Sequence, residues 1–310
     1  MFKYSDSNKR YYTLDYFYKH KFGCKVFKVS LNAGFTCPNK DGKVGLGGCI
    51  YCSKTGSGEY AGDKKKDLVT QFNEVKELML KKWPKAKYIG YFQANTNTYA
   101  PVNILKEKYE SILKLDNVVG ISIATRPDAI SEECLDYLEK LAKKTYLTIE
   151  LGLQTIHEET SKFINRCHDL KCFEDMVMKL RKRNINIVVH IINGLPYETK
   201  DMMIDTVKYL SKLDIQGIKI HMLSILKDTK LAQIYKDKKF KLISRDEYID
   251  IVCDELEYLR EDIVVNRITG DPKVSDLIEP DWLIKKVSII NDIDKEMNKR
   301  DSYQGIKCNI

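Results

Sequence analysis

The sequence predicts an α/β protein built as a partial TIM-type (β/α)6 barrel with N- and C-terminal extensions. Three observations carry this expectation. Six apolar, β-rich runs recur along the chain, helical patterns lie between them, and the turn after the first run carries cysteines where a dinucleotide fold would carry a compact G-x-G-x-x-G.

The six runs are 27–32, 88–92, 118–125, 146–153, 187–193 and 218–224, each read as a buried strand. Between them Leu68, Phe72, Val75 and Met79 step by four, three and four, and Phe173, Met176, Val177 and Leu180 and then Met203, Val207 and Leu210 also fall at helical spacing. Alternating strands and helices give a parallel sheet with right-handed crossovers, and six units give an open barrel. Functional residues are then expected at strand C-termini. After the sixth run the pattern turns helical, with Ile249, Val252, Leu256 and Leu259 in phase and a charged helix expected from Trp282 to Arg300. We therefore divide the chain into an N-terminal extension (1–26), a barrel core (27–236) and a helical C-terminal extension (237–310). No Pro/Gly/Ser-rich linker, sequence repeat or low-complexity segment interrupts it.

At 310 residues and 43% hydrophobic content, the chain can bury a full core. Its start is polar and no apolar stretch approaches the roughly 20 residues of a membrane helix, so a cytoplasmic protein with no membrane partner is expected. A formal charge of +8, from 52 Lys and Arg against 44 Asp and Glu, favours a polyanionic partner or describes a Lys-rich solvated surface. Residues 3–25 interleave Lys, Arg and His with Tyr and Phe, a mixture that can meet phosphates and stack on bases or staple an N-terminal helix to the barrel.

Nine cysteines in a reducing compartment are candidate metal ligands or small buried hydrophobes. Three cluster: Cys37, Cys49 and Cys52 lie on a glycine-rich loop after the first strand, with eleven residues in the first gap and two in the second. Thiolates are natural ligands of Fe–S clusters, and glycines let backbone wrap closely around an inorganic core. Three thiolates on a [4Fe–4S] cluster leave one iron open. The alternative is a zinc site completed by Cys24, His20 or a distant residue.

At these residues the chain resembles the radical S-adenosylmethionine (SAM) superfamily. Its long first gap is similar to a bacterial subfamily related to the radical SAM domain of the Elongator catalytic subunit. Thr125-Arg126-Pro127-Asp128, Glu150-Leu151-Gly152-Leu153-Gln154, Ile164-Asn165-Arg166, Asn193-Gly194-Leu195-Pro196, Arg267-Ile268-Thr269-Gly270-Asp271 and Tyr303-Gln304-Gly305 resemble its further motifs. The resemblance implies a [4Fe–4S] cluster whose open iron chelates SAM and reduces it, giving a 5′-deoxyadenosyl radical. It also implies roles for residues: Tyr51 against the adenine, Gln93, Asn95 and Thr96 toward the SAM amino group, and Glu150 and Gln154 on the ribose hydroxyls or amino group. Arg166 would pair with the SAM carboxylate, Asn193 and Gly194 would approach the adenine or ribose, and His190 and His221 would contact SAM or substrate. Arg126 and Asp128 bind substrate or stabilise their own turn.

The subfamily resemblance implies action on tRNA wobble uridine, converting 5-carboxymethylaminomethyluridine to 5-aminomethyluridine, with an electron donor such as flavodoxin or ferredoxin. A radical SAM enzyme for a small metabolite or peptide, and a zinc-stabilised RNA-binding module, are the competing expectations.

Overall fold

The computed structural model describes residues 2–309 apart from 57, 59, 238 and 239. The chain opens with α1 (Leu14–Phe22) and β1 (Val26–Leu31), then alternates α2 (Leu68–Leu80), β2 (Lys87–Phe92), α3 (Val102–Leu113), β3 (Val118–Thr125), α4 (Glu132–Ala142) and β4 (Tyr146–Gln154). It continues with α5 (Glu158–Phe163), α6 (Leu170–Lys182), β5 (Asn186–Asn193), α7 (Lys200–Ser211), β6 (Gly217–Met222) and β7 (Ile225–Leu226). Last come α8 (Lys230–Asp237), α9 (Arg245–Tyr258), β8 (Val264–Arg267), β9 (Leu277–Glu279) and α10 (Lys286–Lys299).

Seven strands form one curled parallel sheet in the order β1-β2-β3-β4-β5-β6-β8, a half-barrel. Side chains alternate across each strand, which sorts residues by chemistry. One set, including Val29, Leu31, Ile121, Ile123, Ile149, Leu151, Ile187, Val189, Ile218 and Ile220, is buried in a single cluster with Phe72, Leu105, Tyr109, Leu135, Phe173, Leu180 and Val207 of the helices. The alternate set is polar and lines the barrel interior: Lys28, Tyr91, Glu150, His190, Lys219 and His221. Helices start where side chains cap them, Asp67, Ser131, Asp169 and Thr199 each accepting a backbone N–H of the first turn.

The sheet holds one strand more than the six expected. Val264-Val265-Asn266-Arg267, within the segment read as purely helical, pairs with β6. Four residues are the shortest run that reads as a strand, and here only Val264 and Val265 are β-branched, so pairing with the edge of β6 completes it. The final helix also differs: Asp281–Ile284 is a 3-10 turn, and α10 begins at Lys286.

The N-terminal aromatics pack inward. Tyr11 and Tyr18 are buried, Phe17, Tyr18 and Phe22 surround Tyr146 at the start of β4, and Val265 N donates to Tyr12 O at 2.7 Å. Several nearby cations already have anionic partners: Lys3 with Glu261, Lys9 with Asp294, Arg10 with Asp301, and Lys19 and Lys25 with Asp15. Of the two roles open to this segment, its geometry is that of the staple. Gln304 ties the two chain ends together, since its amide oxygen accepts from Tyr12 N at 2.8 Å and its amide nitrogen donates to Arg260 O and Ile263 O. Among the described residues no helix is long and apolar enough to cross a membrane.

Candidate active site

The loop after β1 is shaped by its own backbone. Lys40 N and Asp41 N donate to Cys37 O, Val44 N to Pro38 O, Gly48 N to Asn39 O at 2.7 Å, and Cys52 N to Cys49 O. Two asparagines then bind it to the turn after α5. Asn165 Nδ2 donates to Gly48 O at 2.8 Å and Leu46 O at 3.2 Å, while Asn39 Nδ2 donates to Asn165 O at 2.7 Å and lies 3.6 Å from Cys49 Sγ. The approach is close enough to require glycine at 45, where a Cβ would stand 2.2 Å from Asn39 Oδ1. Thus held, Cys37, Cys49 and Cys52 line one side of a cavity of about 280 Å³ at the C-terminal ends of the strands. Burial raises the Cys49 thiol to about 12, the neighbouring Cys52 adding to it while Arg126 opposes.

The far side of the cavity is the barrel interior, centred on Glu150. Its side chain is fully shielded; Oε1 accepts from Lys28 Nζ at 2.6 Å, and Oε2 accepts from Lys219 Nζ and lies 2.8 Å from His190 Nε2. Burial works against its charge, but Lys219 and Lys28, then the His190 hydrogen bond, hold its carboxyl well below the usual range. Lys219 also donates to Tyr91 Oη at 2.9 Å. Burial pushes Lys219 down to about 7, with Glu150 pulling it up and Lys28 and Arg267 pushing it further down. Burial and the nearby Lys219 lower His190 to about 4, and burial with His190 and Arg267 holds His221 well below its ordinary value. The interior therefore has a fixed carboxylate, two neutral imidazoles and clustered cations.

Residues 37–210 of this chain match the Radical SAM superfamily, and residues 215–299 match the Radical_SAM C-terminal domain. The chain belongs to the radical SAM superfamily. It is 52% identical over 304 residues to YtqA of Bacillus subtilis, covering 98% of this chain and 94% of that protein. Over 193 residues it is 24% identical to the tRNA uridine(34) acetyltransferase of Methanocaldococcus jannaschii, which takes in 61% of this chain and 34% of that protein. Among solved structures, the archaeal Elp3 of Methanocaldococcus infernus superimposes with a TM-score of 0.69 at 18% identity, over 90% of this chain and 64% of that one. At such identity the likeness speaks for the fold.

As a radical SAM enzyme the chain takes a [4Fe–4S] cluster and SAM, and its residues fit both. Three soft thiol donors face one cavity. Among the described residues no three His, Cys, Asp or Glu side chains are gathered about one ion position. Thiols on one side of a cavity are the donors an iron–sulfur core takes. Cys24 and His20, weighed as zinc ligands, do not line it; His20 sits on α1 with Nδ1 2.8 Å from Tyr16 O.

The structure gathers most of the expected site residues around this cavity: with the cysteines, Tyr51, Gln93, Asn95, Thr96, Arg126, Glu150, Gln154, His190 and His221 all line it. Four do not. Arg166 is fully buried behind the wall, where Nη1 donates to Leu153 O and to Thr155 O at 2.6 Å and Nε donates to His168 O at 3.0 Å. This guanidinium secures backbone, so its expected pairing with the SAM carboxylate does not match its placement. Asn193 turns outward and donates to Glu255 Oε2 at 2.8 Å, and a Cβ on Gly194 would meet Met222 and Ile243. Neither faces the cavity, because the alternation along β5 directs His190 and Ile192 there. Asp128 lies outside too, forming a two-point pair with Arg126 at 2.9 and 2.7 Å, while Arg126 Nη1 donates to Arg166 O at 2.8 Å.

Sequence reasoning missed Lys28, Lys40, Tyr91, His168, Lys219 and Arg267, which line this cavity or the one beside it. A signal was present for three, Arg267 standing in the Arg267-Ile268-Thr269-Gly270-Asp271 motif. Lys28 within Val26-Phe27-Lys28-Val29 and Lys219 within Ile218-Lys219-Ile220 are charges inside buried strands, and such charges are rare without a partner. Lys40 braces the loop, donating to Ser53 O at 3.0 Å and Asn95 Oδ1 at 3.2 Å.

Proposed function

We propose that this radical SAM enzyme acts on tRNA at the wobble uridine, converting 5-carboxymethylaminomethyluridine to 5-aminomethyluridine. The observation that carries this reading is the match, over 193 residues, to a protein named for its action on uridine 34 of tRNA. A net charge of +8 accords with a polyanionic substrate.

When bound, the cluster reduces SAM and supplies a 5′-deoxyadenosyl radical able to take a hydrogen atom from a carbon beside nitrogen. The residues around it bind and orient. Cys37, Cys49 and Cys52 would hold the cluster on their side of the cavity, Tyr51 would offer its ring to the adenine, and Gln93, Asn95, Thr96 and Gln154 would present polar groups from near the strand ends to SAM. Arg126, fixed by Asp128 and Arg166 O, keeps a cation beside the thiols. The uridine must leave its stack to bring its 5-substituent into the barrel, and a flavodoxin or ferredoxin supplies electrons.

The test is anaerobic incubation of reconstituted, reduced enzyme and SAM with tRNA bearing 5-carboxymethylaminomethyluridine. The expected products are the aminomethyl nucleoside, 5′-deoxyadenosine, methionine and glyoxylate: the carbon beside nitrogen gives a hydrogen atom to the radical, its remaining electron would return to the oxidised cluster, and water would release the two carbons from the nitrogen. Deoxyadenosine formed with the nucleoside unchanged, while a small metabolite or peptide is turned over, would overturn the proposal.

A further inference from the structure

Among the described residues, and with Lys25 and Asp15 paired to each other, three cations, Lys28, Lys219 and Arg267, face two carboxylates, Glu150 and the more distant Asp271. Lys28, Lys219 and Arg267 converge from β1, β6 and β8, and Glu150 is the carboxylate that lies among them. Both Glu150 oxygens are already engaged by Lys28, Lys219 and His190. Arg267 comes only within 3.9 Å of Asp271, and Asp271 accepts from Lys286 at 2.8 Å. The two imidazoles, held neutral, add no negative charge. Lys28 and Lys219 are shielded, and shielded cations are costly unless an anion compensates them; burial is the main cause of the lowered basicity of Lys219, and Lys28 and Arg267 add to it.

Geometry says where an anion would sit. A second cavity of about 400 Å³ opens between the sheet edges β1 and β8, and shares Tyr91, Gln93, Lys219, Arg267 and Asp271 with the cluster-side cavity. Lys219 thus stands at the junction of the two. Its ammonium has three donors, of which Glu150 and Tyr91 take two. One remains for a ligand. A monoanion meets the surplus with a single negative charge, where a dianion would set two against Glu150, and a carboxylate is the planar acceptor that a guanidinium and an ammonium hold together.

We propose that Lys28, Lys219 and Arg267 form a carboxylate subsite in the barrel interior, at the junction of the two cavities, that receives the anionic group of the substrate. It rests on the proposed function in one respect: there the group is the carboxymethyl carboxylate of the modified uridine. The carboxylate of SAM is the other source of the same chemistry, and the test separates them.

Calorimetry on reconstituted enzyme with SAM compares the nucleosides 5-carboxymethylaminomethyluridine and 5-methylaminomethyluridine, which differ by the carboxylate. The first should bind about tenfold more tightly, the scale of a charge-assisted contact. Lys28→Gln, Lys219→Met and Arg267→Gln should each cut that preference to about twofold, with SAM affinity retained; Arg267→Lys should keep part of it. Arg267 is partly exposed, so its variant keeps the test valid if Lys219→Met fails to fold. No preference in the wild type, or SAM affinity falling tenfold in the variants, overturns the subsite. Wild-type conversion of the tRNA with the preference undiminished in all three variants removes the subsite and leaves the function standing. Failure to convert the tRNA, together with Lys219-dependent binding of N-methylglycine over dimethylamine by ligand-detected NMR, removes the function and leaves the subsite.

Discussion

Arg166 shows how one side chain can change its role between sequence and fold. Its guanidinium holds the carbonyls of Leu153, Thr155 and His168, so Arg166→Ala should leave buried acceptors unpaired and lower stability by about 3 kcal/mol. The check is a denaturant midpoint at unchanged slope, and loss of SAM affinity with full stability would contradict it. Lys219 makes a pH prediction. Glu150, His190, His221, Lys28, Arg267 and Tyr91 face it; Glu150, His190 and His221 are held low and Tyr91 is held high, while burial brings Lys219 to about 7, near neutrality. Anion binding needs its charged form, so carboxylate affinity should fall as pH rises from about 6 to 9, and Lys219→Met should flatten the profile. Its folded pKa lies below the unfolded 10.5, so the unfolded chain binds more protons between about 7 and 10.5, and this group's contribution to stability rises with pH in that window.

The cysteine loop behaves as one element because Asn39 and Asn165 clasp it across 126 positions of sequence. Asn165→Ala removes the donor to Gly48 O and Leu46 O while leaving all three thiols in place. The expected result is a folded protein that reconstitutes but loses iron and sulfide faster than wild type, followed by absorbance and iron content. Cys37→Ala, Cys49→Ala or Cys52→Ala should abolish the brown, oxygen-sensitive chromophore outright. Equal iron retention by Asn165→Ala and wild type would show that the loop needs no clasp. The Ile164-Asn165-Arg166 motif therefore has two structural roles on adjacent residues, one toward the loop and one toward the strand end.

For the assembled protein the prediction concerns RNA. The N-terminal cations expected to meet phosphates are in part paired with Glu261, Asp294, Asp301 and Asp15, so their contribution should be reduced. Binding of tRNA should still weaken linearly in log K against log salt, since the surplus of Lys and Arg acts through counterion release. Removing Lys3 and Lys9 together should change that slope by less than the roughly two units that two unpaired phosphate contacts would give. A slope independent of salt would remove the electrostatic contribution.

The strand and helix alternation, the parallel sheet and the cysteine loop after β1 were legible because each is written locally, in apolar periodicity or in residues a few positions apart. Of the polar lining, Glu150, Gln154, His190 and His221 were reached at or near strand ends, through the family resemblance or their place in a strand, while Lys28 and Lys219 were not. The four-residue β8 was not legible, because pairing with the edge of β6 completes it. Arg166 and Gly194 lie in turns, where no alternation directs them and placement depends on what the neighbouring elements present, whereas the β5 alternation that brings in His190 and Ile192 already turns Asn193 away. The convergence of Lys28, Glu150, Lys219 and Arg267 is the clearest case. Residues up to 239 positions apart meet only once the sheet has curled, and the balance of their charges, on which the anion subsite rests, exists at no shorter range.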